Sequence, residues 1–151
     1  WNSKNKNATQ KNLDHKLFWI TVDKNCDITK HQVPYNQMGY VQCINVFQYL
    51  TPDNMKAYLK SIYKILRPGG TAIITYTDAT VPAQFKLVGE KGYRFFTKNR
   101  MKHLIDRAGF EVKSWDEPTS KVSAVILQKP GTIKSILRAI STVNYDIDKR
   151  R

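Results

Sequence analysis

The chain is short of acid: of its 151 residues, 12 are Asp or Glu against 25 Lys or Arg, a formal charge of +13 at neutral pH. That balance disfavours a cationic partner and favours an anionic one, such as nucleic acid, an acidic membrane surface or a phosphorylated substrate. The competing reading is charge that serves solubility alone. Cysteine is scarce too, with Cys26 and Cys43 the two present. Two thiols exclude a disulfide-framed scaffold. Cys43 falls inside a run that reads as a buried strand, so reduced thiols and a cytoplasmic, intracellular protein are expected. No stretch reaches the roughly 18–20 apolar residues that a membrane span needs. His15, His31 and His103 stand apart, with no Cys or carboxylate at ligand spacing, so no metal site is expected. The chain opens on Trp1 rather than methionine, as a segment of a longer product would.

What is present fits one α/β domain, since 151 residues at 41% hydrophobic content can bury a single core. Residues 1–16, WNSKNKNATQKNLDHK, are rich in Asn and Lys with little to bury, and read as a flexible arm. LFWITV at 17–22 and YVQCINVF at 40–47 are β-branched and aromatic runs of strand length. Thr51-Pro52-Asp53 then supplies an N-cap, a proline at the first helical position and an acid in the first turn. Met55, Leu59, Ile62 and Leu66 recur at helical spacing, so the pattern predicts an amphipathic helix over 52–67 that Pro68-Gly69-Gly70 brings to an end. The next strand, 72–77, is apolar on both faces, as parallel strands covered by helices are. Residues 78–96 read as a long loop. Thr97 caps a second helix carrying Met101, Leu104, Ile105 and Ala108, and Gly109 closes it. FEVKSW at 110–115 and KVSAVILQK at 121–129 read as an antiparallel pair. After Pro130-Gly131, Ile133, Ile136, Leu137, Ile140 and Val143 fall on one face of a C-terminal amphipathic helix, followed by a basic tail, so that 17–129 is the domain and 130–151 its appendage.

Residues 40–77, YVQCINVFQYLTPDNMKAYLKSIYKILRPGGTAIITYT, followed by FFTKNRMKHLIDRAGFEV at 95–112, resemble the carboxyl-terminal half of the class I S-adenosylmethionine-dependent methyltransferase family. The resemblance covers roughly residues 17–129. It implies a Rossmann-like methyltransferase sheet, mostly parallel with an antiparallel terminal hairpin, in which 40–47 and 72–77 are the fourth and fifth strands. It also implies S-adenosylmethionine as cofactor. By resemblance an acid after the third strand contacts the adenine: Asp27, with Asp23 the competing register. Asn45, Val46 and Phe47 match positions facing the cofactor, Gln48 and Tyr49 match the catalytic segment between cofactor and acceptor, and Tyr76, Thr77 and Asp78 match the acceptor side. The family's Gly-rich cofactor turn is not found, because no glycine precedes Gly39. The resemblance therefore implies a sheet incomplete at the N-terminus, completed by an upstream segment or a protein partner.

Methyl transfer from a sulfonium is an in-line displacement that an enzyme promotes mainly by alignment, so no conspicuous acid–base dyad is required. The segment NVFQYL departs from the Asp/Asn-Pro-Pro-Tyr/Phe pattern that resembles methylation of exocyclic base amines. Lys86, Lys91, Arg94, Lys98, Arg100, Lys102 and Arg107 crowd residues 86–107, with Phe85, Tyr93, Phe95 and Phe96 interleaved. Cations neutralise phosphates and aromatic faces stack on bases, so RNA is the expected acceptor, with Lys98, Arg100 and Lys102 among its contacts. The alternative function is a catalytically inactive methyltransferase-like scaffold, or a nucleic-acid-binding subunit of a larger assembly.

Overall fold

The computed structural model of the chain describes residues 35–133 and Leu137. The 17–22 strand, the 1–16 arm, Asp23, Cys26, Asp27 and most of the C-terminal helix lie outside the described residues. Four strands and three α-helices are present among them: β1 (Met38–Cys43), α1 (Pro52–Ile65), β2 (Leu66–Tyr76), α2 (Pro82–Glu90), α3 (Lys98–Ala108), β3 (Glu111–Trp115) and β4 (Ser123–Gln128), with a 3₁₀ turn at Phe47–Tyr49. They form one mixed sheet in the order β1-β2-β4-β3. β1 and β2 run parallel, with Cys43 opposite Ile74, while β4 pairs antiparallel with both β2 and β3. The chain thus passes from β1 through α1 into a co-directional neighbour, and the closing hairpin returns with its second strand innermost. No helix among the described residues is long and apolar enough to cross a membrane.

α1 begins as its residues dictate. The Thr51 hydroxyl accepts from the Asn54 N–H, Pro52 occupies the first turn, and Asp53 sits beside the positive end of the helix dipole. Met55, Tyr58, Leu59, Ile62 and Ile65 are buried along one face. α3 is bounded by the expected residues as well, with the Thr97 hydroxyl accepting from the Arg100 N–H and Gly109 left-handed at φ 91°. Met101 and Ile105 of α3 join α1, Ala72, Ile74, Val125 and Leu127 in one core.

Several expectations shift beyond a residue or two at strand ends. β1 stops at Cys43 rather than running to Phe47, because Asn45 takes a left-handed φ of 58° and turns the chain off the sheet. α1 stops at Ile65, not 67, because Leu66 is already extended; its side chain is fully buried as the first residue of β2. β2 accordingly starts at Leu66 rather than 72. Residues 78–96 are not one loop, since Pro82 opens α2 within them.

The Pro-Gly-Gly stretch therefore has a different task from closing a helix. Between the Met38–Leu66 and Tyr40–Thr71 pairings, Arg67-Pro68-Gly69-Gly70 bulges out of β2. A Cβ on Gly70 would lie 2.9 Å from the Arg67 carbonyl oxygen and 3.0 Å from that of Met38, so the two strands meet there only because the side chain is absent. The helix end is closed from elsewhere. The Lys129 ammonium, at the end of β4, donates to the Tyr63 carbonyl at 2.8 Å, the Leu66 carbonyl at 2.8 Å and the Asn36 side-chain oxygen at 2.7 Å. Asn36 N–H donates to the Lys64 carbonyl and Gln37 N–H to that of Ile65. Leu66 N–H takes the Ile62 carbonyl, so all four terminal carbonyls of α1 have partners.

Removing that ammonium should expose the arrangement's energetic weight. Lys129→Met, which keeps the length of the stem, is expected to lower the unfolding free energy by about 2–4 kcal/mol, the cost of stranding buried acceptors that bonded a charge. Urea unfolding followed by circular dichroism measures it, and a loss below about 0.5 kcal/mol would show that the carbonyls find other partners.

Candidate active site

Ligands of open α/β sheets gather outside the carboxyl ends of the parallel strands, and here that edge is polar. β1 delivers Asn45, Gln48 and Tyr49, while β2 delivers Tyr76, Thr77 and Asp78. The amino end of antiparallel β4 brings Ser123 to the same side through its pairing with Tyr76. Thr75 fixes the geometry of the first group: its hydroxyl accepts from the Asn45 N–H at 2.9 Å, tying the turn after β1 to the neighbouring strand. Asparagine tolerates the left-handed backbone this demands better than a branched residue would. Asn45 is exposed and Val46 half-buried.

Behind this turn Phe47 is fully buried, edge-on to Tyr58 at 5.8 Å, so its side chain belongs to the core. Gln48 is buried as well; its amide donates to the Asn45 side-chain oxygen at 3.3 Å, and its own Oε1 has no hydrogen-bond partner. Tyr49 points outward at 55% exposure and meets Tyr93 edge-to-face. The hydrogen bond with Tyr93 raises the Tyr49 hydroxyl pKa, helped by partial desolvation and the neighbouring phenol.

On the β2 side, Tyr76 is 1% exposed against Trp115, and Thr77 is buried with its hydroxyl oxygen unpartnered. Burial raises the Tyr76 pKa, with the Asp78 charge adding to it and a hydrogen bond from Ser123 opposing. Asp78 Oδ1 accepts from both the N–H and the hydroxyl of Thr80, at 2.9 and 2.7 Å. Gln84, the one buried residue of α2, joins three segments. Its oxygen accepts from the Asp78 N–H at 2.7 Å, and its amide donates to the Thr119 carbonyl at 2.9 Å and the Ser123 hydroxyl at 3.0 Å. The residues 78–96 gave no sign of this role, because one Gln in a polar stretch carries no period or motif.

Of the basic residues expected to meet an acceptor, Lys98 lies over the Trp115 ring at 5.0 Å, Arg100 over Phe96 at 5.1 Å, and Lys102 pairs with Asp106 at 2.8 Å. All three are exposed on α3. At helical spacing Lys98 and Lys102 share one side of α3 while Arg100 projects from another, so the three do not make a single face. Among the described residues no three His, Cys, Asp or Glu side chains are grouped to hold a metal ion. Asp27 lies outside the described residues.

Residues 2–74 match the family model of a methyltransferase domain. The match takes in residues 1–16 almost whole, as well as β1 and α1. No curated protein sequence matches the chain. Among solved structures, the fold is similar to a protein from Pyrococcus horikoshii, with TM-score 0.58 and 12% identity over 82% of this chain and 64% of that one. It is also similar to an S-adenosylmethionine-dependent methyltransferase from Methanosarcina mazei, with TM-score 0.56 and 12% identity over 86% of this chain and 79% of that one. A Bordetella parapertussis protein matches with TM-score 0.54 and 13% identity over 65% of this chain, which spans 41% of its length. At such identities the likeness is one of fold. It agrees with the sequence resemblance and with the mixed sheet.

The carboxyl edge also makes stability depend on pH. Burial pushes the Cys43 thiol up to about 12 from 9.0. Its folded pKa exceeds the unfolded one, so the contribution is fully present below pH 9 and is lost as pH climbs toward 12. The expected slope is about 1.4 kcal/mol per pH unit. Tyr76, raised from 10.0, adds a second loss in the same direction from pH 10 upward. Urea midpoints collected between pH 8 and 10 should fall more above pH 9 in the native chain than in Cys43→Ala, in which other groups such as Lys129 still titrate; an identical profile in both would refute the assignment.

Proposed function

Because the chain carries a methyltransferase-domain sequence over residues 2–74 and shares the fold of S-adenosylmethionine-dependent methyltransferases, we propose that it transfers a methyl group from that cofactor to RNA. The observation that carries this reading is the carboxyl edge itself. Matched sequence and shared fold meet there in a turn held by Thr75 and Asn45, beside buried oxygens that lack partners. Those two oxygens, Gln48 Oε1 and Thr77 Oγ1, fit the cofactor as acceptors, with the Asp78 carboxylate, itself bonded by Thr80, as a nearby negative charge, since the ligand's sulfonium and ammonium are cationic. When bound, S-adenosylmethionine supplies an electrophilic methyl group.

The chain's own residues then have separate tasks. By the resemblance, Asn45 and Val46 would face the methionine end, and Asp27, or Asp23 in the competing register, would contact the adenine. Phe47 serves from behind, its buried ring fixing the turn that Asn45 and Gln48 share. Gln48 and Tyr49 stand between cofactor and acceptor and orient the attacking atom, with Tyr76 closing the wall beneath. Alignment of this kind can lower a barrier by about 7–11 kcal/mol, enough that no strong general base is required. The described residues contain no Gly-x-Gly turn after a strand, and on this reading a segment outside them or a protein partner completes the cofactor site. RNA as acceptor is supported by the charge of +13 and by the exposed cations of α3, Lys98, Arg100 and Lys102.

Calorimetry of the full protein with S-adenosylmethionine tests the proposal. Binding is expected. Asn45→Gly, which keeps the left-handed backbone, should weaken it at least about tenfold and cost turnover on RNA with methyl-labelled cofactor, while leaving the melting temperature nearly unchanged. No binding would overturn the enzyme reading in favour of a methyltransferase-like scaffold.

A further inference from the structure

Large apolar side chains are rarely left in water as neighbouring pairs, yet two such pairs stand at the carboxyl edge. Tyr49 and Tyr93 meet edge-to-face at 5.2 Å, and Phe85 and Phe95 at 6.3 Å. Tyr49, Phe85 and Phe95 are 53–56% exposed. Three elements present them together: the turn after β1, α2, and the segment 93–96 that leads into α3. That last segment is stitched across the ends of both parallel strands, since Arg94 N–H donates to the Gln48 carbonyl at 2.8 Å and the Phe96 carbonyl accepts from Ala79 N–H at 2.8 Å. Phe96 faces inward at 2% exposure, while Tyr93 and Phe95 face the other way. The rings are therefore held by backbone hydrogen bonds rather than by a mobile loop.

The ring pairs are interleaved with cations. Lys86, Lys91 and Arg94 are exposed beside them, with Glu90 the acid of the same stretch. We infer that Tyr49, Tyr93, Phe85 and Phe95 form a stacking platform for unpaired bases of single-stranded RNA, whose phosphates lie on Lys86, Lys91 and Arg94. Aromatic faces accept any base, whereas a duplex hides its bases within the stack, so the platform selects strandedness rather than sequence. Its place beside Gln48 sets the bound strand over the edge where the methyl group would be delivered. The inference rests on the reading of RNA as acceptor and narrows it to single strands.

Fluorescence anisotropy of the full chain with a labelled single-stranded RNA oligonucleotide and with the duplex of the same sequence, across a salt series, provides the test. The single strand should bind more tightly. Phe85→Ala and Phe95→Ala should each weaken it roughly 5- to 150-fold per base unstacked without changing the salt slope, whereas Lys86→Ala and Arg94→Ala should reduce the slope. Phe95→Leu keeps apolar area without a flat ring and should fail like alanine, with unchanged circular dichroism excluding misfolding. Equal affinity for duplex and single strand, or RNA binding indifferent to the phenylalanines, would overturn the platform and leave the RNA reading standing. No binding to either RNA would overturn both. Self-association in sedimentation that the alanine variants abolish, with RNA affinity intact, would instead make the patch a protein interface.

Discussion

A buried ammonium holds the amino-terminal side of this sheet together. Lys129 has three N–H groups and three acceptors, the carbonyls of Tyr63 and Leu66 and the side chain of Asn36, and it rests over the Tyr63 ring at 4.5 Å. Burial lowers its pKa, as desolvation of a cation must. The hydrogen bonds offset that cost and join the last strand to the end of the first described helix. With Asn36 and Gln37 taking the remaining carbonyls, α1 can stop at Ile65 and its chain can enter the sheet without a spacer. The position of β2 beside β1, and hence the alignment of their carboxyl ends, follows from that abrupt entry.

At the opposite edge the constraints are neutral hydrogen bonds. Thr75 fixes the turn bearing Asn45, and Gln84 gathers the Asp78 backbone, Ser123 and the Thr119 carbonyl. Buried amides of this kind hold position because each unmade bond would leave a desolvated group behind. The edge is thus tied by hydrogen bonds where it meets the core and polar where it faces outward. Unpartnered oxygens on Gln48 and Thr77 and exposed rings on Tyr49 and Phe95 lie along it.

Much of the architecture was legible from local chemistry. Thr51, Pro52 and Asp53 announced α1, and Thr97 and Gly109 bounded α3, because capping is a matter of a few adjacent residues. The run KVSAVILQK marked β4, and its short link to FEVKSW marked the antiparallel pairing with β3. The resemblance in Leu66-Arg67-Pro68-Gly69-Gly70 pointed to the correct crossover while its physical role was misread: the glycines permit a bulge and a close strand approach, and the helix is closed by a lysine 63 residues beyond Leu66.

By itself, then, the sequence determined the order of the four described strands with α1 and α3 between them, the caps of those two helices, the positive charge and the family likeness, all of which rest on neighbours along the chain or on composition, while α2 went unread. The tertiary structure alone decided that Phe47 turns into the core while Tyr49 turns out, that Gln84 rather than a charged residue organises the loop after β2, and that Tyr93 and Phe95 face away from Phe96. Those outcomes depend on hydrogen bonds and packing between segments 30 to 40 residues apart, such as Asn45 with Thr75 and Gln84 with Ser123. No local propensity encodes them, because each side chain's direction is chosen by a partner that only the folded sheet brings within reach.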